Sequence, residues 1–309
     1  MYTAIPTAGM TREEWLLARK TGIGGSDAGA ICGLSPYASA MSVYRDKTSG
    51  NVTDNDRECM RQGRDLEDYV ARRFMEATGL KVRRSNKMYR SVEYPFMLAD
   101  VDRLVVGEDA GLECKTASPY GAGSWKDGRV PPHYLAQCLH YMAVTGRREW
   151  YLAVVILGQD FQYRKITWEE DLVRNLVALE AAFWNGHVLP RVMPQPDGSP
   201  ACDGVLEAAF PRPEKGSTVS LEGFDERLER RMDLEKEIEE LKRQQRQIDQ
   251  EIKLAMGEHE SADSGRFRVS WSSVETSRVD SKRLKEEMPE IYESFRTLSR
   301  TRRFSIKAA

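Results

Sequence analysis

Residues 97–117 read MLADVDRLVVGEDAGLECKTA, and this stretch decides the fold class. Its first half alternates apolar and polar residues, residues 107–111 (GEDAG) are typical of a turn, and the remainder resumes an extended pattern. The stretch is therefore predicted to form a β-hairpin. Side chains two positions apart on a strand share one face. Glu113 and Lys115 are thus expected to project together, with Asp102 beside them on the partnering strand.

These three side chains have the chemistry of a metal-assisted hydrolytic site. The hard oxygens of Asp102 and Glu113, completed by waters, suit Mg²⁺ or Mn²⁺, ions that hold a phosphate and lower the pKa of an attacking water. Lys115 would position that water or stabilise the transition state. Glu and Lys also alternate on many solvent-exposed strand edges, so the trio alone does not establish a catalytic site.

Two segments nearer the N-terminus add candidate side chains. Helical spacing of the apolar residues in 61–79 places Glu67 beside an apolar stripe, where it either reaches into a site or remains a solvent-exposed charge. Residues 19–33 (RKTGIGGSDAGAICG) place Arg19 before a glycine-rich turn and Ser26 at the start of a helix. A guanidinium and a hydroxyl at a helix N-terminus can bind phosphate, and Ser26 would also cap the helix.

A third helix is predicted over residues 131–146, with Tyr134, Gln137 and Tyr141 on one face. A glutamine on an otherwise apolar or aromatic face needs a hydrogen-bond partner, which a substrate phosphate or a carboxylate of the site could provide. The four histidines of the chain lack the spacing of a metal site or a catalytic triad, so hydrolysis by His, Ser or Cys is poorly supported.

The order of these motifs resembles one known family, the YqaJ-type viral recombinases, which are relatives of phage lambda exonuclease among the PD-(D/E)xK nucleases. The similarity extends over about residues 10–185. The motifs that carry it are Arg19-x6-Ser26, Gly63-x3-Glu67, Asp102, Glu113-x-Lys115 and Ala136-Gln137.

The resemblance implies a role for each residue of the predicted metal site. Asp102 and Glu113 would be ligands of Mg²⁺ or Mn²⁺, with the Cys114 carbonyl as a third ligand. Lys115 would be the catalytic lysine. Glu67 would hold a water on the metal or a second ion.

Further positions of the family's site also have matches in this chain. By resemblance, Gln137 would support the site from the following helix, while Arg19 and Ser26 would grip the 5′-phosphate of a DNA end. The sequence VDR departs from the Asp-Gly that often follows this strand in the lambda enzyme. That departure leaves open whether Asp100, two residues before Asp102, shares the ligand role.

The family resemblance also implies a fold and an activity. The fold would be an α/β core of the PD-(D/E)xK restriction-endonuclease type, a mixed central sheet flanked by helices. The activity would be that of a Mg²⁺-dependent exonuclease digesting linear double-stranded DNA from 5′-phosphorylated ends and leaving 3′ single strands. The alternatives are a structure-specific endonuclease of the same superfamily and a non-catalytic DNA-end-binding protein. The implied setting is phage or prophage recombination beside a single-strand annealing protein, with a ring-shaped homo-oligomer such as a trimer.

Composition sets the outer limits of these hypotheses. The 309 residues are 40% hydrophobic and 30% charged, enough for a sizeable core. No apolar run approaches the length of a membrane span, and the five cysteines show no CxxC spacing, so we expect a reducing cytoplasm, free thiols and no membrane partners. The family resemblance implies that this cytoplasm is that of a bacterial host. A net charge of −2 does not indicate nucleic-acid binding, although a nuclease needs only a locally basic channel.

The chain is predicted to divide into an exonuclease domain at 1–186, an irregular Pro- and Gly-rich connector at 187–219, and a C-terminal region at 220–309. The C-terminal region is expected to contain a coiled-coil-like helix, a strand in FRVSWSSV, a helix after Asp280 and a basic tail. In the first domain, helices are predicted near 11–20, 26–33, 40–48, 57–79, 131–145 and 169–185, and strands near 81–92, 96–106, 110–117, 148–158 and 161–168.

Overall fold

A computed structural model of the chain describes residues 1–50, 56–298 and 302–307. The chain divides into two compact units, Met1–Phe210 and Pro211–Ala309. The first unit has two mixed sheets with helices packed on them, which confirms the predicted α/β class. In the part of the chain that is described, no helix combines the length and apolar character needed to cross a membrane.

The helices and strands of the first unit follow one another in a mixed α/β order. They are β1 (Tyr2–Pro6), α1 (Arg12–Lys20), β2 (Ile23–Gly24), α2 (Gly25–Ile31), α3 (Ala40–Thr48), α4 (Glu58–Thr78), β3 (Val82–Arg84), β4 (Lys87–Ser91), β5 (Met97–Asp100), β6 (Arg103–Val105), β7 (Ala110–Ala117), α5 (Pro132–Thr145), β8 (Glu149–Ile156), β9 (Asp160–Thr167), α6 (Glu170–Phe183) and α7 (Pro200–Ala209). A 3₁₀ segment, Pro119–Gly128, precedes α5, and a π-helical turn, Trp184–Val188, follows α6.

The larger sheet has the strand order β3-β6-β7-β8-β9 and holds the centre of the core. Only β7 and β8 run parallel within it; the other neighbours are antiparallel. Strand β8 is buried along almost its whole length, because α5 packs on one side of the sheet and α4 on the other. Strand β8 is therefore a central strand covered on both faces. The smaller sheet has the order β1-β4-β5-β2.

Local sequence signals explain where the helices begin and end. Thr11 and Glu14 form a capping box at the start of α1, each satisfying a backbone N–H of the first turn. Helices α4 and α5 both end at a glycine in the left-handed conformation, Gly79 and Gly146, which a residue with a side chain adopts less readily. The predicted bounds of these helices are confirmed to within about two residues.

Two strands that were predicted as continuous are each divided between the two sheets. The strand predicted at 96–106 breaks after Asp100 into β5 and β6, and the strand predicted at 81–92 breaks at Asn86, whose positive φ of 51° turns the chain. The predicted hairpin over 97–117 is confirmed for β6 and β7 alone. Asp102 therefore lies where the chain crosses from one sheet to the other, and not within a strand.

The predicted irregular connector at 187–219 is wrong for part of its length. Helix α7 begins there with a Ser199 cap and Pro200 in its first turn, and it buries Cys202 and Val205 against Met41 of α3. Helix α7 is stabilised by its apolar residues, which pack on α3. The prolines and glycines around it made this stretch read as an irregular connector.

The second unit is mainly helical. Its elements are α8 (Asp225–Met256), β10 (Ser261–Asp263), β11 (Arg268–Ser270), α9 (Ser281–Glu287) and α10 (Pro289–Phe295). The predicted coiled-coil-like helix corresponds to α8. The predicted strand in FRVSWSSV is shorter than expected, and the helix after Asp280 is interrupted at Pro289, which cannot continue a helix from the preceding turn. Residues 299–301 and 308–309 of the basic tail lie outside the described residues.

Candidate active site

The register of β6 and β7 brings the two predicted metal-binding carboxylates together. Arg103 pairs with Leu112, so the next position along brings Asp102 beside Glu113. Asp102 Oδ2 accepts a hydrogen bond of 2.7 Å from the backbone N–H of Cys114. The N–H and C=O of one residue point to the same edge of an extended strand. The Cys114 carbonyl thus lies on the edge of β7 that faces Asp102, as its predicted role requires.

Glu113 is the most buried member of the site, with 2% of its surface exposed. Its Oε1 accepts hydrogen bonds from Lys115 Nζ at 2.6 Å and from Gln137 Nε2 at 2.7 Å. Gln137 also donates to the hydroxyl of Tyr141 at 2.9 Å. The hydrogen-bond partner expected for Gln137 is therefore a site carboxylate. Glu113, Lys115 and Gln137 form one connected network.

The charges in this network are strongly coupled. Burial raises the pKa of Asp102, and the neighbouring carboxylates of Glu113 and Glu67 raise it further. Burial also raises the pKa of Glu113, although Lys115 opposes that effect. For Lys115, burial would lower the pKa, but Glu113 and Asp102 outweigh it and hold the pKa above its ordinary value. The two carboxylates thus favour the charged form of Lys115, which can donate hydrogen bonds.

A divalent cation fits the donor set of this site. Glu113 Oε2 is buried and has no hydrogen-bond partner among the described residues, so an acceptor oxygen remains available beside Asp102. The raised pKa of Asp102 reflects negative charge that a cation would balance. Within residues 1–50, 56–298 and 302–307, no group of three or more His, Cys, Asp or Glu side chains is placed to hold a metal. The carboxylate pair would thus need the Cys114 carbonyl and water as further ligands.

Glu67 lies close to the carboxylate pair but is held by a cation of its own. Arg103, a buried residue of β6, pairs with Glu67 through Nη1 and with Asp68 at 2.5 Å through Nη2. The Arg103 guanidinium also donates to the Asp102 carbonyl at 2.7 Å. The metal-related role of Glu67 stays a prediction. Nothing in the sequence periodicity indicated that Arg103 would turn inward at the edge of the site.

The predicted phosphate-binding residues are brought together at the start of α2. Arg19 Nη2 donates to Ser26 Oγ at 2.9 Å, and the Ser26 side chain is exposed. The expectation that Ser26 caps the helix is wrong. Gly24 holds the cap position, and its N–H donates to Asp27 Oδ2 at 2.8 Å, because a carboxylate three residues into the helix reaches back to the cap. The Ser26 hydroxyl is therefore not used as a cap.

An aromatic and basic stack beside Arg19 was not predicted from the sequence. The guanidinium groups of Arg12 and Arg19 lie 4.6 and 4.8 Å from the ring centroid of Trp15, and Trp15 Nε1 donates to Asp100 Oδ2 at 2.6 Å. Asp100 thus fixes the orientation of Trp15 and belongs to the smaller sheet. Asp102 is the acidic residue that lies beside Glu113.

Most of these groups line one cleft with a volume of about 780 Å³, although Lys115 and Arg103 are not part of its lining. The lining includes four carboxylates, Glu67, Asp100, Asp102 and Glu113, and four guanidinium groups, Arg12, Arg19, Arg64 and Arg84. A chain of net charge −2 thus presents a concentrated set of cations next to its paired carboxylates. This arrangement suits a polyanion with one phosphate placed at the carboxylates.

We expect Asp102→Asn to stabilise the protein in the absence of metal. The amide keeps an oxygen that can accept the Cys114 N–H, and it removes a charge that burial, Glu113 and Glu67 disfavour. Each kcal/mol of relieved repulsion should raise Tm by about 2–4 °C. Calorimetry of both proteins in EDTA checks this expectation, and added Mg²⁺ should raise Tm for the wild type more than for the variant.

The same carboxyl makes the expected stability difference depend on pH. Since folding raises the pKa of Asp102, its contribution to stability is fully present below the unfolded pKa of about 3.9 and is lost as pH rises through the higher folded pKa. The asparagine side chain does not titrate, so the stability of the variant does not change with pH for this reason. The gap in Tm should therefore widen with rising pH, and a gap that shrinks or reverses would contradict the assigned coupling.

Comparison with known proteins places the chain in a family. A family model described as a YqaJ-like viral recombinase domain matches residues 14–148, which include every site residue named above from Trp15 to Tyr141. The protein YqaJ of Bacillus subtilis (strain 168) is 37% identical over 302 residues, covering 96% of this chain and 95% of that protein.

Two solved structures are similar at lower identity. An alkaline exonuclease from Laribacter hongkongensis, LHK-Exo, has a TM-score of 0.49 and 21% identity, covering 56% of this chain and 91% of that chain. A phage-related exonuclease from Haemophilus somnus 129PT has a TM-score of 0.40 and 12% identity, covering 53% of this chain and 94% of that chain. The family assignment rests instead on the Bacillus subtilis relative, whose identity extends over nearly the whole chain and agrees with the family model. This chain therefore belongs to the YqaJ-like viral recombinase family.

Proposed function

We propose that this protein is a Mg²⁺- or Mn²⁺-dependent exonuclease that digests linear duplex DNA from 5′-phosphorylated ends and leaves 3′ single strands. The observation that carries the proposal is the pairing of the half-buried Asp102 with the buried Glu113, with Lys115 Nζ 2.6 Å from Glu113 Oε1. Membership of the YqaJ-like viral recombinase family supports a nuclease.

The donor set determines what each residue would do in hydrolysis. A bound Mg²⁺, held by Asp102, Glu113 and the Cys114 carbonyl, would polarise the scissile phosphate and lower the pKa of a water. Lys115, a cation at neutral pH, would donate a hydrogen bond to the attacking water or to a phosphate oxygen and stabilise the charge that develops there. Gln137 would keep Glu113 in place by its hydrogen bond to Oε1.

The bonds that form and break agree with digestion from a 5′ end. The water oxygen bonds to phosphorus and the P–O3′ bond breaks, so the departing nucleotide keeps a 3′-hydroxyl. The shortened strand then carries a new 5′-phosphate. An end pocket specific for that group could thus engage the product of each cut as the substrate of the next.

Arg19 and Ser26 are suited to be that end pocket. Their side chains lie 2.9 Å apart in the same cleft as the carboxylate pair. A guanidinium and a hydroxyl side by side can share the oxygens of one terminal phosphate, and charge-assisted hydrogen bonds of this kind are the strong ones. An enzyme that cuts within a strand would have no need of this pocket, so its presence favours the exonuclease over the endonuclease alternative.

We expect Arg19→Ala to reduce the preference for 5′-phosphorylated over 5′-hydroxyl ends by about 10-fold or more. A charge-assisted hydrogen bond contributes about 1.5–3 kcal/mol, which corresponds to that range. Initial rates on two linear duplexes that differ only in the terminal phosphate measure the preference. Arg174→Ala on the surface of α6 is the matched control, since Arg174 forms an exposed ion pair with its helix neighbour Asp171. An unchanged preference in Arg19→Ala would remove this residue from the end pocket.

Strand polarity is tested with a duplex labelled separately at each 5′ and each 3′ end. Digestion from 5′ ends releases the 5′ labels first as mononucleotides, while the 3′ labels persist on long single strands. Early release of the 3′ labels would reverse the proposed polarity. Internal fragments that retain both ends would favour an endonuclease. A single-strand annealing protein as partner and a ring-shaped assembly stay predictions of the family resemblance.

A further inference from the structure

The Lys47 side chain, in the last turn of α3, is buried although it carries a charge. Only 1% of its side-chain surface is exposed. Its Nζ lies 2.8 Å from Asp27 Oδ2 and donates to the backbone carbonyl of Arg19 at 3.2 Å. A lysine is rarely buried to this degree unless it is paired. Lys47 thus joins the end of α1 to the start of α2, the two segments that carry Arg19 and Ser26 of the end pocket.

Apolar packing holds α3, and with it Lys47, at this place. Val43 and Tyr44 of α3 belong to one buried cluster with Ile23 and Ala30, which lie on either side of the turn into α2. Positions three and four apart share one face of a helix, so Lys47 lies on the same buried face as Val43 and Tyr44. The sequence therefore places a cation where α3 meets the end pocket.

Asp27 lies between two cations. Its Oδ2 accepts the backbone N–H of Gly24 at 2.8 Å in addition to the contact with Lys47. The Arg19 guanidinium lies over the same glycine, since a Cβ atom at Gly24 would be 3.4 Å from Arg19 Nη2 and 3.5 Å from Asp27 Oδ2. In the part of the chain that is described, Lys47 is the cation within ion-pair distance of Asp27.

The Asp27 side chain carries its negative charge beside the pocket. Burial would raise the pKa of Asp27, but Lys47 and then Arg19, together with the hydrogen bonds that the carboxylate accepts, hold the pKa below its ordinary value. Both cations therefore stabilise the same carboxylate. The charge of Lys47 decides how strongly Asp27 attracts Arg19.

We propose that Lys47 is a positioning residue of the end pocket, which balances the charge of Asp27 and so keeps the Arg19 guanidinium available to a terminal phosphate. This inference rests on the proposed function, because it concerns the same pocket. Without the ammonium of Lys47, the Asp27 carboxylate would draw the Arg19 guanidinium into an ion pair, and pairs of this kind are strong. Arg19 would then be engaged by the protein in place of the substrate.

A lysine that served only to stabilise the fold would behave differently. Removing one partner of a buried ion pair destabilises a protein, whatever the pair is next to. Such a loss reduces the amount of folded enzyme and lowers the rates on all substrates by the same factor. A positioning role for Lys47 instead changes the ratio of rates on two substrates that differ only in the terminal phosphate.

The ratio of initial rates on 5′-phosphorylated and 5′-hydroxyl linear duplexes, at low substrate concentration, tests this role in the full chain. We expect Lys47→Met to reduce the ratio by about 10-fold, the effect of withdrawing one charge-assisted hydrogen bond from the phosphate. Lys47→Gln removes the charge but can still donate a hydrogen bond to Asp27. It should reduce the ratio in the same way, and it serves as the test if the methionine variant does not fold.

A second substitution should restore the ratio. In the double variant Lys47→Met, Asp27→Asn, no carboxylate remains to draw Arg19 away, and the amide oxygen can still accept the Gly24 N–H. Neutral replacement of a whole buried pair is also often tolerated by the fold. We therefore expect the double variant to prefer phosphorylated ends as strongly as the wild type does.

Lys20→Met is the matched control. Lys20 also contacts the last turn of α3, donating to the carbonyl oxygen of Asp46 at 2.8 Å and to Ser49 Oγ at 2.9 Å. The substitution removes a lysine that ties α1 to α3 but leaves the ion pair of Lys47 and Asp27 in place. It should keep the wild-type ratio, and an equal loss in this variant would show that loosening α3 is sufficient.

The remaining outcomes separate this inference from the proposed function. An unchanged ratio in Lys47→Met or Lys47→Gln would overturn the positioning role. A double variant that retains the reduced ratio would also overturn it, since Lys47 would then act through packing and not through the charge of Asp27. A wild type that digests both duplexes equally would instead overturn the proposed end pocket, on which the inference rests.

Discussion

Lys115→Ala is expected to slow hydrolysis of linear duplex DNA by about 10²-fold or more, the usual effect of removing one preorganised group that stabilises developing charge. Lys115 Nζ lies 2.6 Å from Glu113 Oε1 and 4.7 Å from the centroid of the Tyr134 ring, so its position is fixed before substrate arrives. Alanine leaves no donor at that place. The rate should fall even when substrate is saturating, because the lost interaction is strongest in the transition state.

Lys165→Ala is the matched control for this substitution. Lys165 lies on β9, where it forms an exposed ion pair of 2.7 Å with Glu149. Neither residue lines the cleft. Single-turnover rates on linear DNA, together with Tm values, separate a catalytic loss from a loss of folded protein. A Lys115→Ala variant that is folded and cleaves at the wild-type rate would remove Lys115 from the catalytic machinery.

His140→Ala is expected to lower the free energy of unfolding by about 3–5 kcal/mol, as removal of one partner from a buried ion pair typically does. The side chains of His140 and Glu180 are both fully buried. His140 Nδ1 lies 2.8 Å from Glu180 Oε1, and Nε2 lies 2.8 Å from the carbonyl oxygen of Leu98. Alanine would leave the Glu180 carboxyl in the core without its partner. It would also release the backbone of β5.

Denaturant unfolding monitored by circular dichroism measures this effect, with His259→Ala as the control because His259 is an exposed histidine. The variant His140→Leu, Glu180→Leu should recover much of the loss, since apolar replacement of a whole buried pair is often neutral or stabilising. A loss below about 1 kcal/mol for His140→Ala would show that the core accommodates a lone Glu180. The His140–Glu180 pair affects the cleft because His140 is hydrogen-bonded to the backbone of Leu98. Leu98 lines the cleft and precedes Asp102 on the chain.

The local part of the site could be predicted from the sequence. A period of two places Glu113 and Lys115 on one face of a strand, and the structure joins them by a hydrogen bond. Helical spacing showed that Gln137 needs a partner but left open whether a phosphate or a site carboxylate provides it, and the structure supplies Glu113. The hairpin was also predictable, because its turn and its alternation lie within residues 97–117. These features depend on contacts between residues close in sequence or on simple periodicity.

The parts that were missed depend on contacts between distant segments. Trp15 and Asp100 are 85 positions apart, and His140 and Glu180 are 40 apart, so no local pattern connects them. The two-residue strand β2 is too short to show alternation. The break of one predicted strand into β5 and β6 arises because the two halves pair with different sheets. Tertiary pairing, and not strand propensity, decides that boundary.

The most direct test of the central claim is digestion of one plasmid by the wild-type protein and by Lys115→Ala, in Mg²⁺ and in EDTA. The plasmid is supplied as a circle and in linear form with and without 5′-phosphates. The account predicts that the wild type with Mg²⁺ degrades the phosphorylated linear form, and that the circle persists in every reaction. Nicking of the circle would contradict the exonuclease assignment. Survival of all forms would contradict the assignment of the cleft as a nuclease site.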